Sequence, residues 1–187
     1  MRKPVLAAIL VLLAAVPTFT AQKPPKANEI LAGGKSQATQ QHKRVFLIFG
    51  ASWCEDCHLL DTFLATPEIR AILDKFYVVT RITVAEENGG NPALNNPGGL
   101  ELLAKFGGVG PGGVVDLPFI SILDEKCKLI VNSNPVIKGI PQNGGIGYPA
   151  KPEEIDWFLT MLKKSSPALT VDDAQVVKNW LTKAANN

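Results

Sequence analysis

The sequence predicts an α/β fold built on two buried strands and a hairpin. A run of β-branched and aromatic residues, RVFLIFGA from Arg44, ends directly at a pair of cysteines, and the residues after that pair have a helical pattern. A second run, YVVTRITV from Tyr77, completes a strand–helix–strand order. Strands that are apolar throughout are typical of a sheet covered on both faces, so we expect helices on both sides.

The first residues have the features of a secretory signal peptide. Arg2 and Lys3 precede an apolar run from Val5 to Val16, which is shorter than the roughly 20 residues that a membrane-spanning helix needs. The pattern predicts a cleaved signal over residues 1–21, with an uncleaved anchor as the alternative. We therefore expect a periplasmic or secreted protein with no stable membrane insertion after signal removal.

Charge and composition argue against several classes of partner. The chain has 19 Lys and Arg against 17 Asp and Glu, and two of the basic residues, Arg2 and Lys3, lie in the predicted signal. The mature chain is therefore formally neutral and lacks the clusters of basic residues that nucleic acid or an anionic membrane surface requires. A hydrophobic content of 46% with 19% charged residues is typical of a globular domain.

The elements of the first half follow from local patterns. Residues 22–42 predict a polar linker and a helix weakened by Gly33 and Gly34. The helix after the cysteines is interrupted at Thr66-Pro67, and a second helix then leads to the second strand. Residues 85–99 are rich in Gly, Asn and Pro and predict a surface loop. The first of these two helices has an apolar stripe made of Leu59, Leu60, Phe63 and Leu64.

The second half predicts a hairpin and two helices. Strands are expected at 119–123 and 127–132, and Cys127 would begin the second strand as a buried, inert thiol. A helix starts at Pro152. Thr170 is a suitable cap for a last helix, whose apolar face would be formed by Val171, Ala174, Val177, Leu181 and Ala184.

Cys54 and Cys57 provide the main functional signal. Three cysteines allow at most one internal disulfide, and a bridge across so short a loop stabilises a fold little, so the pair indicates chemistry. Backbone N–H groups and the dipole at a helix start stabilise a thiolate. Cys54 is the expected attacking sulfur, and Cys57, one turn further in and less exposed, is the expected resolving sulfur. Trp53 is placed to cover the pair as a flat apolar surface.

With these features the sequence resembles the thioredoxin superfamily. The matching segments are FLIFGASWCEDC and DLPFISIL, together with the hairpin and helix that follow. The resemblance implies a thioredoxin fold with a central mixed β-sheet flanked by helices over residues 43–164, and a C-terminal helical extension at 165–187. It also implies that Pro118 is the family's cis-proline, and that Leu117 and Pro118 bind an extended substrate segment through backbone hydrogen bonds.

The resemblance implies a thiol–disulfide oxidoreductase that acts on protein disulfides or thiols without an organic cofactor or metal. A membrane-embedded electron donor is the implied partner for recharging. One departure concerns the family's buried acid, six residues before the first cysteine, which falls here on Ile48. Asp61, one turn beyond Cys57, is a candidate substitute as proton acceptor for the resolving thiol, and solvent is the alternative.

The dipeptide Glu55-Asp56 bears on the direction of exchange. Two carboxylates beside Cys54 oppose its thiolate by roughly 1 kcal/mol or less each in water, while the helix start favours it by roughly 0.3–1 kcal/mol. Because these effects nearly cancel, we do not expect the strongly depressed Cys54 pKa that is typical of powerful oxidants. The dipeptide therefore favours a reductase or a balanced exchange protein.

His58 leaves another interpretation open, because Cys54-x-x-Cys57-His58 satisfies the attachment pattern for a c-type haem. Such a protein would need a second axial ligand, such as Met161 or His42, and helices that enclose the cofactor, whereas here a strand runs into the motif. His58 is otherwise a polar helix residue or a modulator of Cys54. A redox-inactive thioredoxin-like binding module is a further alternative.

Overall fold

The computed structural model describes residues 23–135 and 145–185, so the predicted signal peptide lies outside the described residues. The helices and strands in chain order are α1 (Ala27–Gln41), β1 (Arg44–Gly50), α2 (Glu55–Ala65), α3 (Pro67–Leu73), β2 (Tyr77–Thr83), α4 (Gly99–Lys105), β3 (Phe119–Leu123), β4 (Leu129–Asn132), α5 (Pro152–Ser165) and α6 (Val171–Ala184). None of the helices in these two ranges has both the length and the apolar character needed to span a bilayer.

The sheet has the strand order β2-β1-β3-β4 and is mixed. β1 runs parallel to β2 and antiparallel to β3, and β3 and β4 form the predicted antiparallel hairpin. Because β1 is central, its side chains are buried on both faces: Phe46 and Ile48 face one helical layer, and Val45, Leu47 and Phe49 face the other. This is the thioredoxin fold that the resemblance predicted.

Helices cover both faces of the sheet. α2, α3, α5 and α6 provide the core on the side of Phe46, and α1 and α4 provide it on the opposite side. The predicted weakness of α1 at Gly34 has a packing reason, because a Cβ there would lie 2.2 Å from Thr80 Oγ1 on β2. Glycine at this position thus lets the helix approach the sheet closely.

The C-terminal helix α6 is part of the core. Val177 and Leu181 are fully buried, and the ring of Trp180 lies edge-on against Phe63 of α2, with 5.1 Å between the centroids. As predicted, Thr170 caps the helix by accepting a hydrogen bond from the Asp173 N–H at 3.0 Å. α6 therefore supports the helix that begins at the cysteines.

Several local predictions were wrong. Leu59 of the α2 stripe is 46% exposed, and Val171 of the α6 stripe is 81% exposed, because only part of each stripe faces the core. β4 begins at Leu129 rather than at residue 127, because Asp124 Oδ1 accepts hydrogen bonds from the N–H groups of residues 126 and 128 and extends the turn. Cys127 lies in this turn with φ 60° and is half-buried.

Candidate functional site

The two cysteines form a disulfide at the point where β1 turns into α2. Cys54 is the N-cap of α2, and its Cα lies 5.2 Å from that of Cys57. The Cys57 N–H donates a hydrogen bond to Cys54 Sγ at 3.1 Å, as a side chain at an N-cap position accepts from the first turn. Gly50 leaves room for the bridge, because a Cβ there would lie 3.2 Å from Cys57 Sγ.

The disulfide lies beside the bend at Leu117-Pro118. This peptide bond is cis, as predicted, and Leu117 packs against the small cluster formed by Ala51 and the two cysteines. Cys54 is 4% exposed and Cys57 is 6% exposed. The expectation that Cys57 is the less exposed of the two residues is therefore wrong for this disulfide-bonded form.

The side chain of Trp53 is directed to the loop after β2. It is 40% exposed, and its indole N–H donates to the Ala85 carbonyl at 2.8 Å. A Cβ on Gly89 would lie 3.2 Å from Trp53 Cγ, so the glycine allows the ring to rest on this loop. Trp53 immediately precedes Cys54 in the chain, and part of its indole is exposed to solvent.

Glu86 is a buried carboxylate that the sequence analysis missed. It follows β2 in the segment expected to be a surface loop, yet it is fully buried. Glu86 Oε1 accepts from the Ser52 N–H at 2.6 Å, and Oε2 accepts from the Ser52 hydroxyl at 2.7 Å and from the Asn91 N–H at 3.2 Å. Strand order contained a signal for it, because the ends of two parallel neighbours meet at one sheet edge, which brings Glu86 to the cysteine turn.

His58 also contacts Ser52, the residue that Glu86 binds. Its Nε2 lies 2.9 Å from the Ser52 carbonyl oxygen, which accepts a hydrogen bond when Nε2 carries the proton. The N–H, the hydroxyl and the carbonyl of Ser52 are thus all bonded to the side chains of Glu86 and His58. These side chains hold the turn that leads to Cys54 in addition to the backbone hydrogen bond from the Cys54 N–H to the Ala51 carbonyl.

Asp61 lies on α2 and forms an ion pair with Arg81 of β2. Arg81 is the register partner of Ile48, which is buried and apolar at the position of the family's acid. An open cleft of about 340 Å³ brings these side chains together with Cys57, because Asp61, Arg81, His58 and Glu86 also line it. The predicted modulators Asp61 and His58 therefore share a cleft with the second sulfur.

Asp56 lies on the opposite side of the disulfide turn. Burial, followed by the charges of Glu55 and Glu154, raises its pKa above the ordinary value. A Cβ on Gly147 would lie 3.5 Å from Asp56 Oδ2 and 3.9 Å from the Leu117 carbonyl oxygen, so Asp56 approaches the cis-proline bend. The sequence predicted the influence of Glu55-Asp56, but it gave no sign that α5 adds a third carboxylate.

Comparison with known proteins identifies the family. A family model described as thioredoxin-like matches residues 27–124, which is more than half of the 187 residues. The chain belongs to the thioredoxin-like family. No curated protein matches this thioredoxin-like chain significantly.

Several solved structures resemble this thioredoxin-like protein. A disulphide isomerase from Xylella fastidiosa Temecula1 is 17% identical, with 93% of this chain and 98% of that chain covered and a TM-score of 0.48. An oxidoreductase named DsbH is 16% identical, with coverages of 84% and 94% and a TM-score of 0.45. The C-terminal domain of DsbD from Neisseria meningitidis is 19% identical, with coverages of 74% and 98% and a TM-score of 0.42.

The residues named for the haem interpretation lie apart from the cysteines of this thioredoxin-like protein. Met161 lies on α5 and is fully buried in the core. His42 is the C-cap residue of α1, with φ 56°. Neither belongs to the cluster that contains Cys54 and Cys57. Among residues 23–135 and 145–185, no group of three or more His, Cys, Asp and Glu side chains is arranged to hold a metal ion.

Proposed function

We propose that this thioredoxin-like protein is a thiol–disulfide oxidoreductase that exchanges disulfides with protein substrates through Cys54 and Cys57. The observation that carries the proposal is the position of Cys54 Sγ, which is bonded to Cys57 and also accepts the Cys57 N–H at the start of α2. On reduction, the same N–H would donate to a thiolate, which is the nucleophile in disulfide exchange.

In the reducing direction, the Cys54 thiolate attacks one sulfur of a substrate disulfide. A bond forms between Cys54 and the substrate as the substrate bridge breaks, and the departing substrate thiolate takes a proton from solvent. The Cys57 thiolate then attacks Cys54 Sγ, the bridge between the two cysteines forms, and the second substrate thiolate leaves. Two electrons pass from the protein dithiol to the substrate, and the oxidising direction is the reverse.

Cys57 must lose its proton before the second step. The cleft that it shares with Asp61 and His58 supplies a carboxylate and an imidazole on a route to solvent. We assign Asp61, held by Arg81, as the group that accepts this proton directly or through water, in place of the apolar Ile48.

Substrate binding is assigned to the rim of the disulfide turn. Leu117 packs against the cluster of the two cysteines, and a cis bond joins it to Pro118. An extended substrate segment would pair with the backbone of these two residues. The exposed face of Trp53 provides apolar contact for the same segment.

Charge near the disulfide supports the reducing direction. Glu55, Asp56 and Glu154 are grouped on one side of it, and Glu86 is buried on the other. Negative charges oppose a Cys54 thiolate, and a reduced form that is less stabilised makes the couple more reducing. The predicted signal favours a periplasmic or secreted location, where a membrane-embedded donor would return the electrons.

The function is tested by insulin reduction with dithiothreitol as the electron source. The wild type should accelerate precipitation of the insulin B chain, and Cys54→Ser should abolish that acceleration. Cys127→Ser is the matched control, because this thiol lies in the β3–β4 turn, and it should retain activity. A wild type without activity would contradict the proposal; a Soret band would then indicate haem, and partner binding that survives loss of both cysteines would indicate a binding module.

A further inference from the structure

Glu86 is a fully buried carboxylate that the exchange steps above do not use. Within the described ranges no ion pair compensates its charge, and it relies on hydrogen bonds from Ser52 and Asn91 instead. A buried charge is expensive to maintain unless it is well hydrogen-bonded. Three donors to one buried loop glutamate therefore indicate a specific role at this position.

The three hydrogen bonds connect the loop after β2 to the turn before Cys54. Ser52 supplies two of the donors, and it precedes Cys54 by only two residues. The Trp53 indole N–H bonds the neighbouring Ala85 carbonyl, so two consecutive residues of the turn are attached to two consecutive residues of the loop. The position of Cys54 thus depends on how Glu86 holds the turn.

The chain also shields this carboxylate from water. A Cβ at Gly90 would lie 1.9 Å from Glu86 Oε2 and 2.8 Å from Ser52 Oγ. Gly90 itself donates its N–H to the Glu86 carbonyl at 2.8 Å, which closes a tight turn over the side chain. Only a residue without a side chain can pass so near, and a shielded charge acts more strongly on its neighbours than a solvated one.

The charge acts on one redox form more than on the other. Glu86 and Cys57 line the same cleft. A negative charge there disfavours a thiolate on either sulfur, whereas the uncharged disulfide is unaffected. The buried carboxylate should therefore shift the equilibrium between dithiol and disulfide toward the disulfide, which makes the dithiol a stronger reductant.

We propose that Glu86 is a positioning residue of the exchange site, which holds the Cys54 turn through Ser52 and makes the Cys54/Cys57 couple more reducing. The proposal rests on the proposed function, because it assumes that both redox forms are visited. Glutamine at this position would keep the shape, remove the charge, and leave the Asn91 N–H facing an amide group instead of an acceptor.

The test compares Glu86→Gln with Glu87→Gln and Ser52→Ala in the mature chain. Glu87 is the matched control, because it is the next residue, carries the same charge, and accepts from the Asn95 side chain instead of from Ser52. Each variant is equilibrated with reduced and oxidised glutathione, and the dithiol fraction is measured by alkylation and mass spectrometry. Thermal unfolding of the oxidised form records the stability of each variant separately.

At a pH above the pKa of both thiols, we expect Glu86→Gln to shift the equilibrium constant about tenfold toward the dithiol, which corresponds to about 30 mV for a two-electron couple. The shift should be smaller at neutral pH, because the charge acts on the thiolate form and the thiols are then largely protonated. Ser52→Ala keeps the charge and the Ser52 N–H bond and removes one of the two bonds that hold the turn, so it should change the constant less, by about threefold. Glu87→Gln should change it less than twofold. Values for Glu86→Gln and Ser52→Ala within twofold of the wild type would overturn the proposal, even if both variants were less stable. If Glu86→Gln does not fold, Ser52→Ala decides by the same criterion.

Equilibration with glutathione tests the role of Glu86 separately from the proposed function, because it needs no protein substrate. A wild-type pair that never equilibrates with glutathione contradicts the function and the proposal together. A pair that equilibrates normally but does not reduce insulin contradicts only the function, and the comparison of the three variants then still decides on Glu86.

Discussion

Glu86 and Asp56 are two carboxylates on opposite sides of one disulfide turn, and their surroundings differ. Glu86 is fully buried and accepts three hydrogen bonds, two of them from Ser52. Asp56 is exposed, but partial desolvation of its carboxylate, followed by the charges of Glu55 and Glu154, raises its pKa. Glu86 organises the turn that leads to Cys54, whereas Asp56 mainly adds negative charge at the surface beside the disulfide.

We infer from this comparison that distance from the motif in sequence does not determine how strongly a carboxylate influences the site. Asp56 stands between the two cysteines, and Glu86 follows Cys57 by almost thirty residues. Solvent screens an exposed charge strongly, while a buried one keeps most of its effect. We therefore expect changes on the side of Glu86 to have larger effects than changes on the side of Asp56.

The largest effect is expected from Gly90→Ala, because the added methyl group would collide with the Glu86 carboxylate and the Ser52 hydroxyl. We expect the free energy of unfolding, measured with urea, to fall by about 1–3 kcal/mol. Insulin reduction should fall with it. The control is Gly33→Ala, where α1 offers open space and the fold should gain roughly 0.5–1 kcal/mol. Equal stabilities of the two variants would contradict the close packing around Glu86.

Asp61→Asn should have the next largest effect, because it removes the carboxylate that we assign as the acceptor of the Cys57 proton. The release of substrate from the mixed disulfide, followed by rapid-quench mass spectrometry, should slow by about tenfold. This is less than the roughly 10²–10⁴-fold typical for loss of a general base, because water is an alternative acceptor. Asp74→Asn is the matched control, since Asp74 pairs with Arg70 on α3 in the same way. Similar rates in the two variants would show that the Cys57 proton leaves by another route.

Trp53→Phe should remove one hydrogen bond between the turn and the loop. Loss of the bond to the Ala85 carbonyl should lower the free energy of unfolding by about 1 kcal/mol. Trp157→Phe loses a similar bond, to the Asn132 carbonyl, away from the disulfide. Urea unfolding should therefore give similar losses for both variants, whereas insulin reduction should decrease only for Trp53→Phe. Equal activities would argue against a role for this indole at the site.

The smallest effect is expected from Asp56→Asn, and its sign depends on pH. Because the pKa of Asp56 is higher in the folded than in the unfolded chain, its charged form opposes folding above the folded pKa. The variant should therefore be more stable than the wild type at pH 7, by less than about 1 kcal/mol because the group is largely solvated. The gain should vanish as the pH falls below the unfolded pKa.

Glu87→Gln should change the stability of the fold in the opposite direction to Asp56→Asn, so the two variants are best compared directly. Hydrogen bonds from its own backbone N–H and from the Asn95 side chain lower the pKa of Glu87. Its carboxylate therefore stabilises the fold above the unfolded pKa, and this stabilisation is lost as the pH falls through the folded pKa. The variant should be slightly less stable than the wild type at pH 7, and equal to it in acid. Urea unfolding at pH 7 and in acid measures the free energy of unfolding of both variants.

The sequence was informative where local pattern and chain order coincide. The apolar run at β1, the helix start at Cys54 and the bend at Leu117-Pro118 each have a pattern within a few residues, and the structure has them as predicted. The hairpin was also predicted, but its second strand was not placed correctly. Asp124 extends that turn through hydrogen bonds that a strand pattern does not encode.

The contacts of the site were harder to predict because they depend on tertiary structure. A loop rich in Gly, Asn and Pro looks solvated in sequence, and nothing local distinguishes Glu86 from the exposed Glu87. The same holds for Glu154, which reaches Asp56 only because α5 packs beside α2. Burial of a charged residue depends on its partners, and here the partners come from distant parts of the chain.

The most direct test of the account is to trap the intermediate in which Cys54 is bonded to a substrate. Reduced Cys57→Ser and Cys54→Ser proteins, both with Cys127→Ser, are mixed with a peptide disulfide, and covalent adducts are followed by mass spectrometry. The account predicts rapid accumulation of the adduct on Cys54 when Cys57 is absent, and little adduct on Cys57 when Cys54 is absent. Equal or faster adduct formation on Cys57 would show that the sulfur at the start of α2 is not the one that attacks.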